Sequence, residues 1–191
     1  MTTYHHGNLA AELLERAAEM AQEVDLSAIT LRELARRTGV SHSAPVHHFG
    51  TRQGLLTALA FEGFELLGEA LERHAGDIYE MGVAYVMWGL NNPGHYAVMW
   101  QPRLLDETDP RLVIARERAW QLLADAVAAR LTGAAGAADA PGAPTDAYAA
   151  FALVHGLVSI WLNGALPTPK DPHEIAAEVV RRLRFDERNG S

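Results

Sequence analysis

Apolar side chains recur at helical spacing along most of this sequence, and no segment alternates between apolar and polar residues as a half-buried strand does. In the segment 8–24, for example, Leu9, Leu13 and Met20 fall on one helical face and charged residues fall on the other. The pattern therefore predicts an all-α fold. The predicted helices span residues 8–24, 52–74, 77–91, 95–101, 110–131, 145–166 and 172–185, with two shorter helices between residues 30 and 49.

The stretch 30–49, TLRELARRTGVSHSAPVHHF, predicts two short helices joined by a tight turn. Thr30 is suited to cap the first helix, and Glu33 completes the capping-box spacing. Gly39 can end that helix because glycine adopts the left-handed conformation at little cost, and Ser41 would cap the second. This arrangement indicates a helix-turn-helix, whose second helix enters the DNA major groove. An ordinary corner between two helices also uses glycine and is the alternative.

The net charge is compatible with a DNA-binding protein only when the N-terminal residues are considered separately from the rest of the chain. Hydrophobic residues make up 49% of the 191 residues, which is ample for a core, and the net charge is −8. Residues 1–52, however, carry five arginines against six acidic side chains, so this part is nearly neutral. We predict a DNA-binding domain at residues 1–52, with modest non-specific DNA affinity, and a second domain at residues 53–191. The absence of cysteine suits a cytoplasmic location.

Two segments of the second domain have unusual composition. Residues 147–166 carry no formal charge when His155 is neutral and are long enough to cross a membrane. The polar Ser159 and Asn163 lie inside this segment, so we favour a helix buried in a core or a dimer interface and predict no membrane association. Residues 132–144 are mostly glycine, alanine and proline, which predicts a mobile linker with no assigned function.

Five stretches of the sequence together resemble the TetR family of transcriptional regulators. They are YHHGNL (4–9), ITLRELARRTGVS (29–41), SAPVHHFGTRQGLLTALA (43–60), NPGHYAVMW (92–100) and HGLVSIWLNGAL (155–166). The last is similar to the His-Gly-containing dimer helix of one subgroup. The resemblance implies a homodimer with two N-terminal helix-turn-helix heads and a C-terminal domain that binds a small effector. It also implies dimerisation through the helices at 145–166 and 172–185.

The resemblance assigns DNA contacts to individual residues. Thr30 would meet the DNA backbone, Arg32 points outward from the first motif helix, and Arg52 stands where the family often has a phosphate-binding lysine. Ser41, His42, Ser43 and Ala44 would sit at base edges, and His47 and His48 would lie near phosphates. One position departs from the family pattern, because Val46 replaces the usual tyrosine, whose hydroxyl binds phosphate.

Aromatic and methionine residues of the second domain are the candidates for an effector cavity, since such pockets are apolar with a few polar groups. Many of these side chains could instead be plain core residues, and His95 and His155 could be hydrogen-bonded core histidines. Because the sequence around these candidates has no lysine and few arginines, we predict an apolar or aromatic effector rather than an anionic one. The candidates are Met81, Tyr85, Trp88, Tyr96, Met99, Trp100, Trp120, Phe151 and His155, with Trp161 beside them.

The sequence thus predicts a dimeric, ligand-responsive transcriptional regulator that binds palindromic operator DNA, most simply as a repressor released by its effector. It contains no nucleophile elbow, zinc-protease helix or phosphate-binding glycine loop, so we predict no enzymatic activity, no cofactor and no metal. The alternative is an all-α small-molecule-binding protein or enzyme that has lost DNA binding. The Val46 departure and the weak positive charge favour that alternative.

Overall fold

The structure, a computed structural model, describes residues 9–132 and 143–184. All regular structure in these ranges is helical, which confirms the predicted fold class. Short 3₁₀ turns at Leu26–Ala28 and Pro102–Leu104, which the sequence pattern did not predict, join some of the helices. The helices of the described ranges are α1 (Leu9–Glu23), α2 (Leu31–Thr38), α3 (Ser43–Phe49), α4 (Arg52–Glu72), α5 (Ile78–Asn91), α6 (Pro93–Met99), α7 (Pro110–Thr132), α8 (Ala143–Leu162) and α9 (Pro172–Val180).

The chain forms two compact units. The first consists of Met1–Phe64 with Asn92–Ile114, and the second consists of Glu65–Asn91 with Ala115–Ser191. Helices α4 and α7 each contribute residues to both units. The proposed functional boundary after residue 52 stays a prediction.

In the first unit, α1 packs against α2, α3 and α6. Leu13, Ala17 and Met20 of its apolar stripe are fully buried, as the helical spacing predicts, and Leu9 at its start is half-buried. Helix α6 approaches α1 so closely that a Cβ atom added to Gly94 would lie 1.9 Å from the carbonyl oxygen of Ala18. This crossing therefore requires a residue without a side chain.

In the second unit, α5 packs against α8 and α9, and α8 also packs against α9. Gly82 on α5 faces the side chains of Val154 on α8 and Val180 on α9, so small and branched apolar residues fill this core. The other large buried residues of the unit include Met81, Val86 and Trp88 on α5.

The second motif helix begins later than predicted. Helix α3 starts at Ser43, and His42 occupies the N-cap position without a side-chain cap bond. Ser41 does not cap the helix, because its hydroxyl oxygen lies 3.1 Å from that of Ser43 and its carbonyl accepts the N–H of Ala44 in a turn. The predicted Ser41 cap is therefore wrong, although Ser41 stays exposed beside the helix.

Several other helix bounds differ from the prediction, and three of them have a visible local reason. Helix α6 begins at Pro93 rather than His95, since proline at a first helical position sacrifices no hydrogen bond. Helix α8 ends at Leu162, four residues early, where Gly164 turns the chain at a φ of 72°. Helix α9 ends at Val180 because the following N–H groups form tighter i to i−3 bonds. The first residue of the predicted helix 8–24, the last predicted residue of α9 at position 185, and linker residues 133–142 lie outside the described residues.

Candidate nucleic-acid interface

Local capping fixes both ends of α2. The hydroxyl of Thr30 accepts the backbone N–H of Glu33 at 3.1 Å, which confirms the predicted N-cap. At the other end, Gly39 adopts a left-handed conformation with a φ of 70°, as predicted. The turn at residues 39–42 then leads into α3, so α2, the turn and α3 form the expected motif.

Two of the three arginines on α2 are engaged within the protein. Arg36 and Arg37 both donate to the carboxylate of Glu33, at 2.7–2.8 Å, and Arg37 also pairs with Glu23 on α1. The Arg36 and Arg37 hydrogen bonds lower the pKa of Glu33 to about 2. Arg32 is exposed and forms no ion pair with the described residues. Of these arginines, Arg32 is the one best able to meet a phosphate.

Helix α3 exposes small and hydrogen-bonding side chains. Pro45 is buried and anchors the helix, Ala44 is half-buried, and Ser43 and His47 lie on the opposite side in solvent. Val46 stands beside them with 49% of its surface exposed. A helix of this kind can approach another molecule closely while offering hydroxyl and imidazole groups to it.

An open concavity of about 700 Å³ lies beside the exposed side of α3. It collects Ser41, Ser43, Ala44, His47 and His48, which are five of the predicted DNA contacts, together with Val40 and Leu9. The structure thus brings these predicted residues together on one surface.

Arg52 is placed differently from the predicted phosphate contact. Its Nε atom donates to the carbonyl oxygen of Ile29 at 2.8 Å, and an Nη atom donates to that of Leu26 at 2.7 Å. The guanidinium therefore fastens the first turn of α4 to the segment that leads into α2. No local pattern could signal this contact, because the two carbonyls lie 23 and 26 residues away.

Four of the predicted effector-binding residues meet in the second unit. The hydroxyl oxygen of Tyr85 lies 3.0 Å from Nδ1 of His155, and the His155 ring stacks on Phe151 with centroids 5.0 Å apart. The Trp120 ring packs edge-on against Phe151, and its centroid lies 4.9 Å from that of the Tyr148 ring. Burial lowers the pKa of His155, so its ring is neutral at neutral pH. Tyr148 was not among the predicted residues, although it shares a helical face with Phe151 and His155 at spacings of three and seven.

The other predicted effector residues are divided between the two units. Met81, Trp88 and Trp161 are buried in the second unit, as core residues are. Tyr96, Met99 and Trp100 belong to the first unit, where the Trp100 ring meets Phe64. The same unit holds a pair that the sequence pattern did not predict, in which Nε2 of His95 lies 2.9 Å from the Glu62 carboxylate. No cluster of three potential metal ligands occurs among residues 9–132 and 143–184.

Helix α8 presents an apolar face to solvent. Pro144–Leu162 is long and apolar enough to cross a membrane, judged by length and composition alone. Only 28% of its most apolar window is buried, so most of this window is at least partly exposed in the single chain. Tyr148 is 64% exposed and Leu162 is 39% exposed, and Ala152 between them is also exposed. Helix α8 is therefore only partly buried within the single chain, so a core alone does not cover it, and burial in a dimer interface stays a prediction.

The capped helix pair with an exposed second helix defines a helix-turn-helix DNA-binding regulator. Residues 13–59 match the family model described as bacterial regulatory proteins, tetR family, and residues 78–183 match the tetracyclin repressor-like C-terminal domain. The chain belongs to the TetR family of transcriptional regulators. Members of this family are DNA-binding, ligand-responsive regulators rather than enzymes. Family membership gives the chain this general role.

Solved structures share the fold over most of the chain. A protein of unknown function from Rhodococcus sp. RHA1 is 30% identical, with a TM-score of 0.70, over 96% of this chain and 99% of that chain. A tetR-family regulatory protein from Rhodococcus RHA1 is 22% identical, with a TM-score of 0.68, over 91% and 94%. The regulator PfmR from Thermus thermophilus is 18% identical, with a TM-score of 0.70, over 90% and 96%. A comparison with curated proteins finds no match.

Proposed function

We propose that the protein is a homodimeric repressor that binds palindromic operator DNA through α3 and releases it when a small effector binds. The observation that carries this proposal is the exposed side of α3, where Ser43 and His47 stand opposite the buried Pro45. Short polar side chains on an exposed helix suit the major groove, which admits one α-helix and presents hydrogen-bonding base edges.

The proposed DNA contacts follow from exposure. Ser43 and His47 are offered to base edges together with Ser41 and His42, which are exposed at the start of the helix. Arg32 on α2 and Thr30 at its N-cap are exposed and suit the phosphate backbone. Ala44 and His48 remain proposed contacts through the concavity that they share with Ser43. Because its nitrogens hold two backbone carbonyls, Arg52 is proposed to support the motif first and to meet phosphate at most secondarily.

The proposed dimer contact is the exposed apolar face of α8. Tyr148, Ala152 and Leu162 lie at spacings that keep them on one side of the helix. A second copy of this chain would remove that face from water, with α9 taking part as the resemblance implies. Two α3 helices in one dimer would then meet successive major grooves about one helical turn apart.

The proposed effector is a small apolar or aromatic molecule bound near the ring cluster of the second unit. Phe151 and Trp120 supply ring faces and edges, and the Tyr85–His155 pair supplies polar groups without a formal charge. A neutral, ring-lined site favours neutral ligands over anions. The protein is proposed to act in the cytoplasm.

The test is a gel shift against DNA from upstream of the protein's own gene, run at several salt concentrations. A specific shift whose affinity falls as the salt concentration rises is expected, because Arg32 and its symmetry mate displace counterions from phosphate. An Arg32→Ala variant should bind more weakly with a shallower salt dependence, and Arg73→Ala, at an exposed residue beyond the end of α4, is the matched control.

One observation favours a second candidate, an all-α small-molecule-binding protein without DNA binding. Val46 offers no hydrogen bond where the family usually has a phosphate-binding tyrosine, and the surrounding charge is nearly balanced. No shift at any salt concentration, combined with stabilisation by an aromatic compound in a thermal-shift screen, would establish this second candidate and refute the first.

A further inference from the structure

The apolar Val46 is exposed on the side of α3 that is otherwise polar. It is 49% exposed and lies three residues after Ser43 and one before His47, so all three share one side of the helix. The helix has no need of Val46 for its own packing, because Pro45 provides the buried contact. Val46 therefore gives the otherwise polar, proposed DNA-reading side of α3 one exposed apolar group.

The major groove offers such a partner. Thymine presents a C5-methyl group there, and apolar side chains distinguish it from the other bases by direct contact. Phosphate is excluded as the partner of this side chain, since valine has no hydrogen-bond donor. The neighbouring Ser43 and His47 can read polar base edges, so an apolar contact beside them adds a different kind of information.

We infer that Val46 is a specificity-determining residue that packs against the C5-methyl group of a thymine in each half-site of the operator. This inference rests on the proposed function, because it assumes that α3 enters the major groove. It assigns to Val46 a base contact in place of the phosphate contact that tyrosine makes at this position in the family. The chain thereby lacks the phosphate contact of the tyrosine, and the base contact of Val46 adds sequence selectivity in its place.

The test begins with DNA duplexes selected by the protein from a random-sequence library. Each thymine of the selected duplex is then replaced, in both half-sites, by deoxyuridine, which lacks only the C5-methyl group. At one position per half-site the replacement should weaken binding by about four-fold per methyl group, the effect expected for one buried methyl. Binding is measured by fluorescence anisotropy at a fixed salt concentration.

The Val46→Ala variant completes a double-mutant cycle. It should bind the thymine duplex more weakly than the parent protein and bind the thymine and deoxyuridine duplexes equally well. The variant should fold, because alanine is a better helix former than valine and position 46 is exposed. The matched control is Ile114→Ala, which shortens a 64% exposed apolar side chain of the same unit on α7. The control should keep the full sensitivity to deoxyuridine.

The outcomes separate this inference from the proposed function. Sequence-selective binding in which no deoxyuridine replacement distinguishes Val46→Ala from the parent overturns the role of Val46 and leaves the proposed function standing. Failure to select any sequence, with no salt-dependent DNA binding, overturns the proposed function itself and the inference with it. A coupled loss at one thymine per half-site, absent in Val46→Ala, supports both.

Discussion

Helices α3 and α8 both present an exposed face, but the two faces have opposite chemistry. The exposed side of α3 is short and polar, with Ser43 and His47 around one valine, whereas that of α8 is long and apolar, with Tyr148, Ala152 and Leu162. The first can exchange hydrogen bonds with water for hydrogen bonds with DNA bases. The apolar face of α8 is stabilised only when another apolar surface covers it and removes it from water. Exposure alone therefore does not identify a partner; the chemistry of the exposed face does.

The supports behind the two faces also differ. Behind α3, Thr30 caps a helix, Arg52 holds two backbone carbonyls, and Gly94 allows α6 to rest on the α1 backbone. Behind α8, rings and branched side chains fill the space, as with the stacked pair Phe151 and His155. The proposed DNA-reading face is thus held by directional contacts, and the proposed dimer face is backed by packing.

The largest expected effect comes from a charge on the α8 face. Ala152→Arg should destabilise the proposed dimer by about 3 kcal/mol or more, because an unpaired guanidinium would be buried in an apolar contact. Sedimentation equilibrium should show a monomer at concentrations at which the parent protein is a dimer. Operator affinity should fall with it, since one head then binds without the other.

The control for this change is Ala75→Arg, at an exposed residue in the turn after α4. A dimer that persists unchanged in Ala152→Arg would contradict the dimer role proposed for the α8 face. The exposed face of α8 would then have no assigned partner to compare with the DNA proposed for α3.

The next effect concerns the crossing of α6 on α1. Gly94→Ala places a methyl group within the space of the Ala18 carbonyl and should lower the free energy of unfolding by about 3 kcal/mol. Urea titration at fixed protein concentration measures the change. Gly68→Ala on α4 is the control, because its added Cβ would meet only the Arg118 side chain at 3.7 Å and should be neutral or slightly stabilising.

A smaller effect is expected at Arg52, whose two hydrogen bonds to backbone carbonyls are proposed to support the motif. Arg52→Lys keeps the charge but cannot hold two carbonyls in a fork, so the free energy of unfolding should fall by about 2 kcal/mol. Hydrogen exchange should show faster opening at residues 26–31, while the salt dependence of DNA binding stays that of the parent. If Arg52→Lys leaves exchange unchanged and Arg52→Gln lowers the salt dependence, phosphate binding would be its main role instead.

The smallest effect concerns the cap of α2. Thr30→Ala should lower the free energy of unfolding by about 1 kcal/mol, since the N–H of Glu33 loses its acceptor. Thr30→Ser keeps the acceptor and should restore most of the loss, as measured by thermal unfolding. Equal losses in both variants would mean that the threonine methyl group, rather than its hydroxyl, stabilises this position.

Features set by neighbouring residues were predictable from the sequence. The Thr30 cap and the Gly39 turn were both correct because each depends on groups within four residues. The start of α7 at Pro110 was correct for the same reason, and the structure shows the carboxylate of Asp109 accepting the N–H of Arg111 there. Residues 41–43 show the limit of local reasoning, since a serine in a suitable position used its hydroxyl in another contact.

Features that join distant parts of the chain were not predictable. Arg52 was expected to face phosphate, but it reaches carbonyls that spacing alone could not reveal. Tyr85 and His155 are 70 residues apart, so the sequence could nominate both as polar groups of one site without indicating that they bond to each other. The grouping of Tyr96 with the first unit was likewise invisible in the local pattern.

The fork of Arg52 has a consequence for how this protein can be retargeted. Its two acceptors are backbone carbonyls, which every residue type carries, and Gly94 likewise rests on a backbone atom. None of these supports depends on which side chains α3 displays to the outside. On the proposed contacts, substitutions at Ser43, Val46 and His47 are expected to change the recognised sequence and leave these supports intact, so the three positions form a compact starting library for redirecting DNA recognition.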